Sequence, residues 1–534
     1  MKFKRQLKGD AAKFLICVGF ILFLFYPFAQ MIAKITPDDF NNVVNSTTFV
    51  PAVLNTLKTA VTTTLISVPL GLLMAFAIQR TGIKFKTVWT VLLTLPMLIP
   101  SISHGMGLVV IFGTNGVLRN LLNINSTIYG FTGIIVGSVL YSYPVAFLMF
   151  NDVLKYQDSS PYEAAQVLGI PKFNMHMAIT LPYLTKPLIS AVFTVFSLVA
   201  TDYGIPLMIG GKTTTLAVKM YQEVLGQLNF NKGGVIGLFL LIPAVLAFVV
   251  NTIIKSSGKL SFVTRPFDIK KRKIRDVVAY VFCGTVLLCV TLLFGAFATI
   301  AFSKRYPSNM TATFDHVRKM FALRGGTYLV NSLIIAVFVA AIGITVAFIT
   351  AYMTSRMPSK MSSVLHLFSI TSLAIPGMVL GLSYAMTFGG NFIYGTLAIL
   401  ILVNIMHFFA SPYQMMYNSL SKMNENLESV GQTLGIGRVR MIFDVIIPQS
   451  RATMLEMFSY FFVNSMMTIS AVSFLATVRT KPLSLMISQF EGQVLYECAA
   501  VVSLLILLSN VLVKILVYFI NKRLVSNFQA EPAK

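Results

Sequence analysis

The chain has 534 residues, of which 56% are hydrophobic and only 11% are charged, and its mean hydropathy is +0.78. Soluble globular proteins carry about 25% charged residues, so this composition excludes a soluble domain and indicates a polytopic membrane protein. The formal net charge of +24 does not indicate a nucleic-acid partner, because the basic residues are concentrated in alternate loops.

About twelve apolar runs are each long enough to cross about 30 Å of hydrocarbon as a helix, which predicts an all-α membrane fold. The runs are 12–33, 53–79, 88–112, 131–154, 184–209, 234–255, 276–302, 328–354, 362–388, 394–418, 450–476 and 496–520. With a cytoplasmic N-terminus, the cytoplasmic segments hold about 29 of the 42 Lys and Arg residues, which is the positive-inside bias. We therefore expect both termini in the cytoplasm.

One predicted outer segment, 303–327, is the exception to this sidedness because it is rich in basic residues. These are Lys304, Arg305, Arg318, Lys319 and Arg324. Basic residues beside apolar ones are typical of an amphipathic piece that lies at the membrane interface.

The sequence repeats itself with two nearly equal offsets in residue number. The tripeptide Leu-Gly-Ile at 168–170 recurs at 434–436, which defines the downstream offset, and the Ile-Pro pair at 99–100 recurs at 375–376, which defines the upstream offset. The offsets differ because one outer loop is shorter in the second copy, and loops tolerate such changes. Two six-helix halves are predicted, 1–256 and 276–534, joined by a basic cytoplasmic linker at 257–275. An even helix count makes the repeats parallel.

The most informative segment is the polar loop 160–182, between the fourth and fifth apolar runs. It has the pattern E-A-A, three residues, Gly, nine residues, Ile, one residue, Leu-Pro. The positions are Glu163, Ala164, Ala165, Gly169, Ile179, Leu181 and Pro182. This pattern resembles the EAA loop in membrane subunits of binding-protein-dependent ABC importers. The resemblance implies a type I permease fold, with this loop as the contact for a separate ATPase.

Residue chemistry predicts a short, rigid helix in this loop. Ser160 and Glu163 have the spacing of a capping box, and Pro161 suits the first helical position. Gly169 is a plausible helix stop. We expect Ala164 and Ala165 to form a small-residue face for a partner's groove and Leu168 to add an apolar contact.

The equivalent loop of the second half, 426–448, departs from the signature. Asn426 is a good N-cap residue, Glu428 stands one position early, and Gly435 and Pro448 are kept. The positions of E-A-A hold Ser429, Val430 and Gly431. Two unequal coupling helices are therefore expected.

The sequence contains no nucleotide-binding motif and no catalytic or metal-ligand spacing. Gly-Gly-Lys-Thr at 210–213 resembles the end of a phosphate-binding loop, but Pro206 stands where the first glycine is required. The resemblance to importer permeases therefore implies that this chain binds no cofactor and that ATP-Mg is bound by an ATPase homodimer on the cytoplasmic face. It also implies an extracytoplasmic binding protein and a bacterial cytoplasmic membrane.

Three residues are candidates for the pathway or gate. Asp202 lies near the outer end of the fifth run, where it could face the outer vestibule or be an interfacial carboxylate exposed to water. Pro100 and Pro376 interrupt equivalent runs, and paired interruptions point to the pathway, although ordinary kinks are the alternative.

Fused two-half permeases occur among the ferric-iron, 2-aminoethylphosphonate and thiamine importers. Segments 202–211 and 221–230 look most like the iron and aminoethylphosphonate members. The alternative is a secondary transporter with internal repeats, which would need coupling-ion carboxylates near the membrane midplane, and few are present. The resemblance does not identify the cargo, because affinity in this family resides largely in the binding protein.

Overall fold

The computed structural model describes residues 2–114, 116, 127–255, 267, 271–424 and 426–530. The helices of the first half are α1 Lys2–Phe20, α2 Tyr26–Ala33, α3 Pro37–Val44, α4 Phe49–Arg80, α5 Lys86–Leu93, α6 Ser101–Phe112, α7 Phe131–Lys155, α8 Ser160–Val167, α9 Lys172–Met175, α10 Leu181–Ala200, α11 Gly204–Ile209, α12 Leu216–Tyr221 and α13 Phe230–Lys255. Short 3₁₀ or π turns are Ile21–Phe25, Leu95–Leu98, His176–Thr180 and Gln222–Gly226.

The second half begins with α14 Lys273–Ala301 and an antiparallel hairpin, β1 Ser303–Arg305 and β2 Asn309–Ala312. Its other helices are α15 Asp315–Met320, α16 Gly326–Ser355, α17 Lys360–Thr371, α18 Gly377–Phe388, α19 Leu397–Phe408, α20 Ala410–Ser421, α21 Leu427–Thr433, α22 Arg438–Met441, α23 Ile447–Met467, α24 Ser484–Gly492 and α25 Tyr496–Ala530. Short 3₁₀ or π turns are Phe321–Gly325, Ser372–Ala374 and Ile442–Ile446. The basic segment 303–327 thus contains a hairpin and a short helix.

Within the described residues, eight helices are long and apolar enough to cross a membrane, and up to ten spans result if each of two bent pairs is one span. The runs at 88–112 and 450–476 are the two outside this set. The first is divided at Pro100 into short helices. The second forms a helix that ends at Met467 and contains Arg451 and Glu456, which lower its hydropathy. The architecture is an all-α polytopic membrane fold.

The paired prolines do not kink continuous helices; each separates two helices. Pro100 and Pro376 are the N-cap residues of α6 and α18, with ψ of 148° and 143°. The residues before them, Ile99 and Ile375, are extended, because a proline disfavours helical conformation in its predecessor. In the second half, the two parts of the run meet at 103°.

A hydrogen-bond pattern near the start of α4 anchors the chain that follows α11. Asn55 donates from Nδ2 to the carbonyl of Thr214 at 3.1 Å, and the Thr56 hydroxyl accepts from the amide of Leu216 at 2.8 Å. Both side chains therefore satisfy main-chain groups that would otherwise lie unpaired inside the protein.

The second half repeats this anchor at the start of α16. Asn331 donates to the carbonyls of Arg479 and Lys481 at 2.9 and 3.2 Å, and the Ser332 hydroxyl accepts from the amide of Leu483 at 2.7 Å. The equivalent polar pairs thus make the same kind of hydrogen bonds to the main chain in both copies. This agreement is stronger evidence for duplication than shared apolar residues.

The first span of the chain packs against the second half, where α1 and α2 contact α17 and α18. The ammonium group of Lys13 donates to the carbonyl of Met357 at 2.6 Å and to the hydroxyl of Ser359 at 2.9 Å. Ser359 in turn donates to a carboxylate oxygen of Asp10 at 2.8 Å. The buried ammonium group of Lys13 is thus satisfied largely by groups of the other half.

The first span of the second half, α14, makes the reciprocal contact with α4, α5 and α6. Asp276 lies near the start of this span, as Asp10 does in the first half. Its carboxylate accepts from the amide of Gly82 at 2.9 Å, and the Tyr280 hydroxyl accepts from the amide of Lys84 at 2.8 Å. The two sequence halves are therefore interlocked through their first spans.

Candidate functional site

The first candidate coupling loop, 160–182, contains the predicted helix, but its start differs from the predicted capping box. The helix begins at Ser160 and its N-cap residue is Ser159. The hydroxyl of Ser159 donates to Glu163 at 2.7 Å, while Asp158 accepts from the amide of Ser160 at 3.1 Å. The prediction that Ser160 caps the helix and that Pro161 is its first residue was therefore wrong by one position.

The end of this helix is the predicted one. Gly169 has a φ of +69°, a conformation that favours glycine. The amide of Ile170 bonds the carbonyl of Ala165 at 3.0 Å, and the amide of Gly169 bonds that of Gln166 at 3.1 Å. This is the Schellman arrangement, which satisfies two carbonyls and stops the helix.

The second candidate coupling loop, 426–448, ends its helix in the same way. Gly435 has a φ of +71°. The amide of Ile436 bonds the carbonyl of Gly431 at 2.8 Å, and the amide of Gly435 bonds that of Gln432 at 3.1 Å. The two loops therefore share a rigid stop, although their signatures differ.

The outward face of the first loop is apolar. Val167 and Leu168 are 88% and 76% exposed, and Ala164 is also exposed. Ala165 is buried against Tyr162 and Met175, so the prediction of a two-alanine face for a partner was wrong for Ala165. Small size at position 165 serves packing within the chain.

The second loop presents the equivalent apolar face. Val430 and Leu434, which the downstream offset matches with Ala164 and Leu168, are 55% and 69% exposed, and Ser429 is exposed. Gly431 faces inward, where an added Cβ would collide with the side chain of Met441. The loop thus keeps the same division between an outer and an inner face despite its degenerate signature.

The other signature residues lie where each loop enters its next long helix. Ile179 packs against the small cluster of Tyr162, Ala165 and Met175 on the inner side of the first loop, and Leu181 is exposed. Pro182 and Pro448 are the second residues of α10 and α23, directly after the π turns His176–Thr180 and Ile442–Ile446.

Glu428, the acidic residue one position early, has a partner that the sequence did not indicate. Its carboxylate accepts from Arg356 Nε at 2.8 Å and from a second guanidinium nitrogen at 2.5 Å. Both side chains are nearly buried, with 12% and 5% exposed. One signal in the sequence pointed to Arg356. The upstream offset matches it with Arg80, and the two arginines lie at the ends of equivalent helices.

Asp202 lies in a break between α10 and α11, so the fifth predicted run does not continue as one helix to residue 209. Its Oδ2 accepts from the amide of Ile205 at 3.1 Å. The carboxylate therefore has a local role at the start of α11, whereas a role in the vestibule stays a prediction.

The chain around this break contacts the start of α6, and the second half repeats the contact. An added Cβ at Gly204 would collide with the hydroxyl of Ser101, and one at Gly377 would collide with the hydroxyl of Ser470. The upstream offset matches Ser101 with Gly377, and the downstream offset matches Gly204 with Ser470. Serine and glycine have thus exchanged places between the halves, so that each close contact keeps one glycine.

A hydrogen bond joins the break between α10 and α11 to the equivalent segment of the second half, which is the chain between α23 and α24. The hydroxyls of Tyr203 and Ser473 lie 2.7 Å apart. Asp202 adjoins Tyr203 in sequence, and Pro100 and Pro376 immediately precede the residues of the serine–glycine contacts. All three candidate pathway residues are therefore next in sequence to a residue that makes one of these contacts.

A family model described as "Binding-protein-dependent transport system inner membrane component" matches residues 67–261 and 343–526. The starts of the two matches are separated by the upstream offset, and their ends are separated by nearly the downstream offset. The family match therefore coincides with the internal repeat.

Similar proteins include the putative ferric transport system permease protein FbpB 1 of Haemophilus influenzae. It is 24% identical in sequence, and the match covers 89% of this chain and 80% of the relative. The Fe(3+)-transport system permease protein FbpB 2 of the same species is 24% identical over 85% of this chain and 87% of the relative. Among solved structures, a chain of a bacterial ABC transporter involved in alginate import is 21% identical in sequence, with a TM-score of 0.42. The match covers 48% of this chain and 100% of the alginate transporter chain. The chain belongs to the family of binding-protein-dependent transport system inner membrane components, in two fused copies, and is the permease of an ABC importer.

Proposed function

We propose that the two candidate coupling loops bind one ABC ATPase homodimer on the cytoplasmic side of a bacterial inner membrane, with both termini on that side. The observation that carries the proposal is the exposed apolar pair Val167 and Leu168 on a helix with a rigid stop, together with the exposed Val430 and Leu434 on the helix of the second loop. Exposed apolar patches of this kind mark interaction sites. ATP-Mg belongs to the ATPase, and the permease itself carries out no chemical reaction.

On the opposite side, an extracytoplasmic binding protein delivers the cargo. ATP binding closes the ATPase dimer, the coupling loops move the two halves apart at their outer ends, and ATP hydrolysis resets them. We propose ferric iron as the cargo, because the relatives named for iron transport match nearly the whole chain. 2-Aminoethylphosphonate is the second candidate, on the likeness of segments 202–211 and 221–230.

The test uses the full chain with its ATPase and binding protein in vesicles. Thiols are introduced at Ala164 and Val430, which are exposed and equivalent, rather than at Ala165 or Gly431, which face inward. Both should crosslink to thiols on the ATPase. A thiol at Phe392, which is 96% exposed in a predicted outer loop, is the control and should not.

Uptake of ferric iron and of 2-aminoethylphosphonate is measured in the same vesicles. ATP-dependent accumulation of iron alone supports the cargo assignment, while accumulation of the phosphonate alone replaces it. Failure of both loop thiols to crosslink in a transporting complex would contradict the coupling assignment.

A further inference from the structure

The cytoplasmic end of α16 is tied to the second candidate coupling loop by one guanidinium group. Arg356 makes two bonds to the carboxylate of Glu428, at 2.8 and 2.5 Å. Its other bonds go to the carbonyls of Met423 and Asn424, at 3.0 and 2.7 Å. A planar fork of donors can hold a carboxylate and two carbonyls together, which a lysine cannot do. One side chain therefore fixes both the approach to α21 and its first turn.

The cytoplasmic end of α4 has an arginine at the equivalent position. Arg80 donates to Gln157 Oε1 at 2.5 Å, and Gln157 donates to the hydroxyl of Tyr162 at 2.9 Å. The Tyr162 hydroxyl lies 2.6 Å from that of Thr180. This relay of side chains joins α4, the connection that follows α7, the helix of the first loop and the turn before α10.

The linker between the halves reaches the same point. The guanidinium carbon of Arg80 lies 3.7 Å from the centroid of the Phe267 ring, and this ring meets that of Tyr162 edge-on at 5.0 Å. Cations stack favourably on aromatic faces. An aromatic side chain from the linker thus contacts both Arg80 and Tyr162 in the first half.

The two arrangements correspond position by position. The upstream offset matches Arg80 with Arg356, and the downstream offset matches Gln157 with Met423 and Tyr162 with Glu428. The arginine is kept while its partners differ: a neutral relay in the first half and a buried ion pair in the second.

We propose that Arg80 and Arg356 are positioning residues that transmit the displacement of each coupling loop to the long helix of its half. The proposal deepens the proposed function and rests on it. A force on α8 or α21 moves α4 or α16 only if the connection is stiff. Desolvated, charge-assisted hydrogen bonds provide stiffness because breaking them leaves a buried charge unpaired.

The test in the second half uses Glu428→Gln, which keeps the shape of the side chain but removes its charge. Arg356→Lys, which keeps the charge but loses the fork, is the second variant. The matched control is Arg318→Gln, because Arg318 pairs with Asp315 at 3.8 Å outside both candidate coupling loops, with both side chains mostly exposed. Exposed pairs contribute little.

The readout is the amount of cargo transported per ATP hydrolysed, with crosslinking at the Val430 thiol as the measure of assembly. We expect Glu428→Gln and Arg356→Lys to lower this ratio by about tenfold, the size expected for losing a buried charged bond, while crosslinking is retained. Arg318→Gln should transport like the wild type.

The first half is tested with Arg80→Lys and Gln157→Leu, with Lys155→Gln as the control for a nearby exposed cation. Both variants should lower the same ratio with crosslinking at the Ala164 thiol retained, and the control should not.

A ratio within twofold of the wild type in the second-half variants or in the first-half variants would overturn the proposal. Loss of crosslinking would also overturn it, because the arginines would then serve folding alone. An equal decrease of the transport ratio in the control variants would overturn it as well. If the wild-type complex itself fails to transport or crosslink, the proposed function is wrong instead.

Discussion

Substitution of Gly169 separates the structural cost of the helix stop from its contact with a partner. The residue has a φ of +69°, and a Cβ built there meets nothing within 4 Å. Alanine therefore costs only the backbone strain of the left-handed conformation, about 1–2 kcal/mol. Asparagine tolerates this conformation better, so its cost is smaller.

Aspartate at the same position adds a charge to nearly the same shape as asparagine. A carboxylate at a helix C-terminus is unfavourable by about 0.3–1 kcal/mol. The structural cost of Gly169→Asp beyond Gly169→Asn is therefore too small to remove the protein from the membrane. We expect Gly169→Asp to abolish transport while the amount of protein in the membrane is unchanged, because the added charge lies at the helix end that we propose as the ATPase contact.

The assay compares ATP-dependent uptake, membrane content and crosslinking at the Ala164 thiol for the alanine, asparagine and aspartate variants. Alanine and asparagine should retain most of the transport. Near-normal transport by Gly169→Asp, with normal crosslinking, would refute the inference that this exposed helix end contacts the ATPase.

The remaining predictions concern three other positions. Gly435→Asp, at the equivalent stop in the second loop, should also impair transport in the uptake assay without changing membrane content. Asp202→Asn should reduce substrate-stimulated ATPase activity in a folded protein, and a thiol at Asp202 should change its accessibility from outside when non-hydrolysable ATP is added; equal labelling in all states would make it an interfacial bystander. Gly71→Ala should lower thermal stability measured in detergent, because the new Cβ would lie 2.6 Å from the Phe147 amide nitrogen, whereas Gly284→Ala, with nothing within 4 Å, should not.

The sequence predicted those features that depend on a few neighbouring residues or on a simple period. Most of the long apolar runs became helices, and Gly169 stops its helix as expected, as does Gly435 at the matching position, because left-handed backbone is cheap for glycine. The repeat was visible because it preserves spacing, and the family match confirms two copies.

Features set by distant contacts were not predictable in the same way. Ser159, Ser160 and Asp158 can all serve at a helix start, and only the folded loop decides among them. Likewise, the face of Ala165 depends on Tyr162 and Met175, which lie on its inner side. The break at Asp202 was missed because the residues after it are apolar, and an apolar run does not reveal whether it is one helix or two.

The contrast between the loops gives the degenerate signature a physical meaning. In the first half, the acidic residue stands at the exposed position 163, and the inner position 162 is a tyrosine in a neutral relay. In the second half, the acidic residue has moved one position to 428, where it is mostly buried and bound to Arg356. A shift of one position turns a helical side chain by about 100°, so the carboxylate lies on the exposed face of the first loop and on the inner face of the second. The second loop therefore exposes less acidic charge and is attached more firmly to its own half, and we expect the two ends of an ATPase dimer to meet surfaces of different charge.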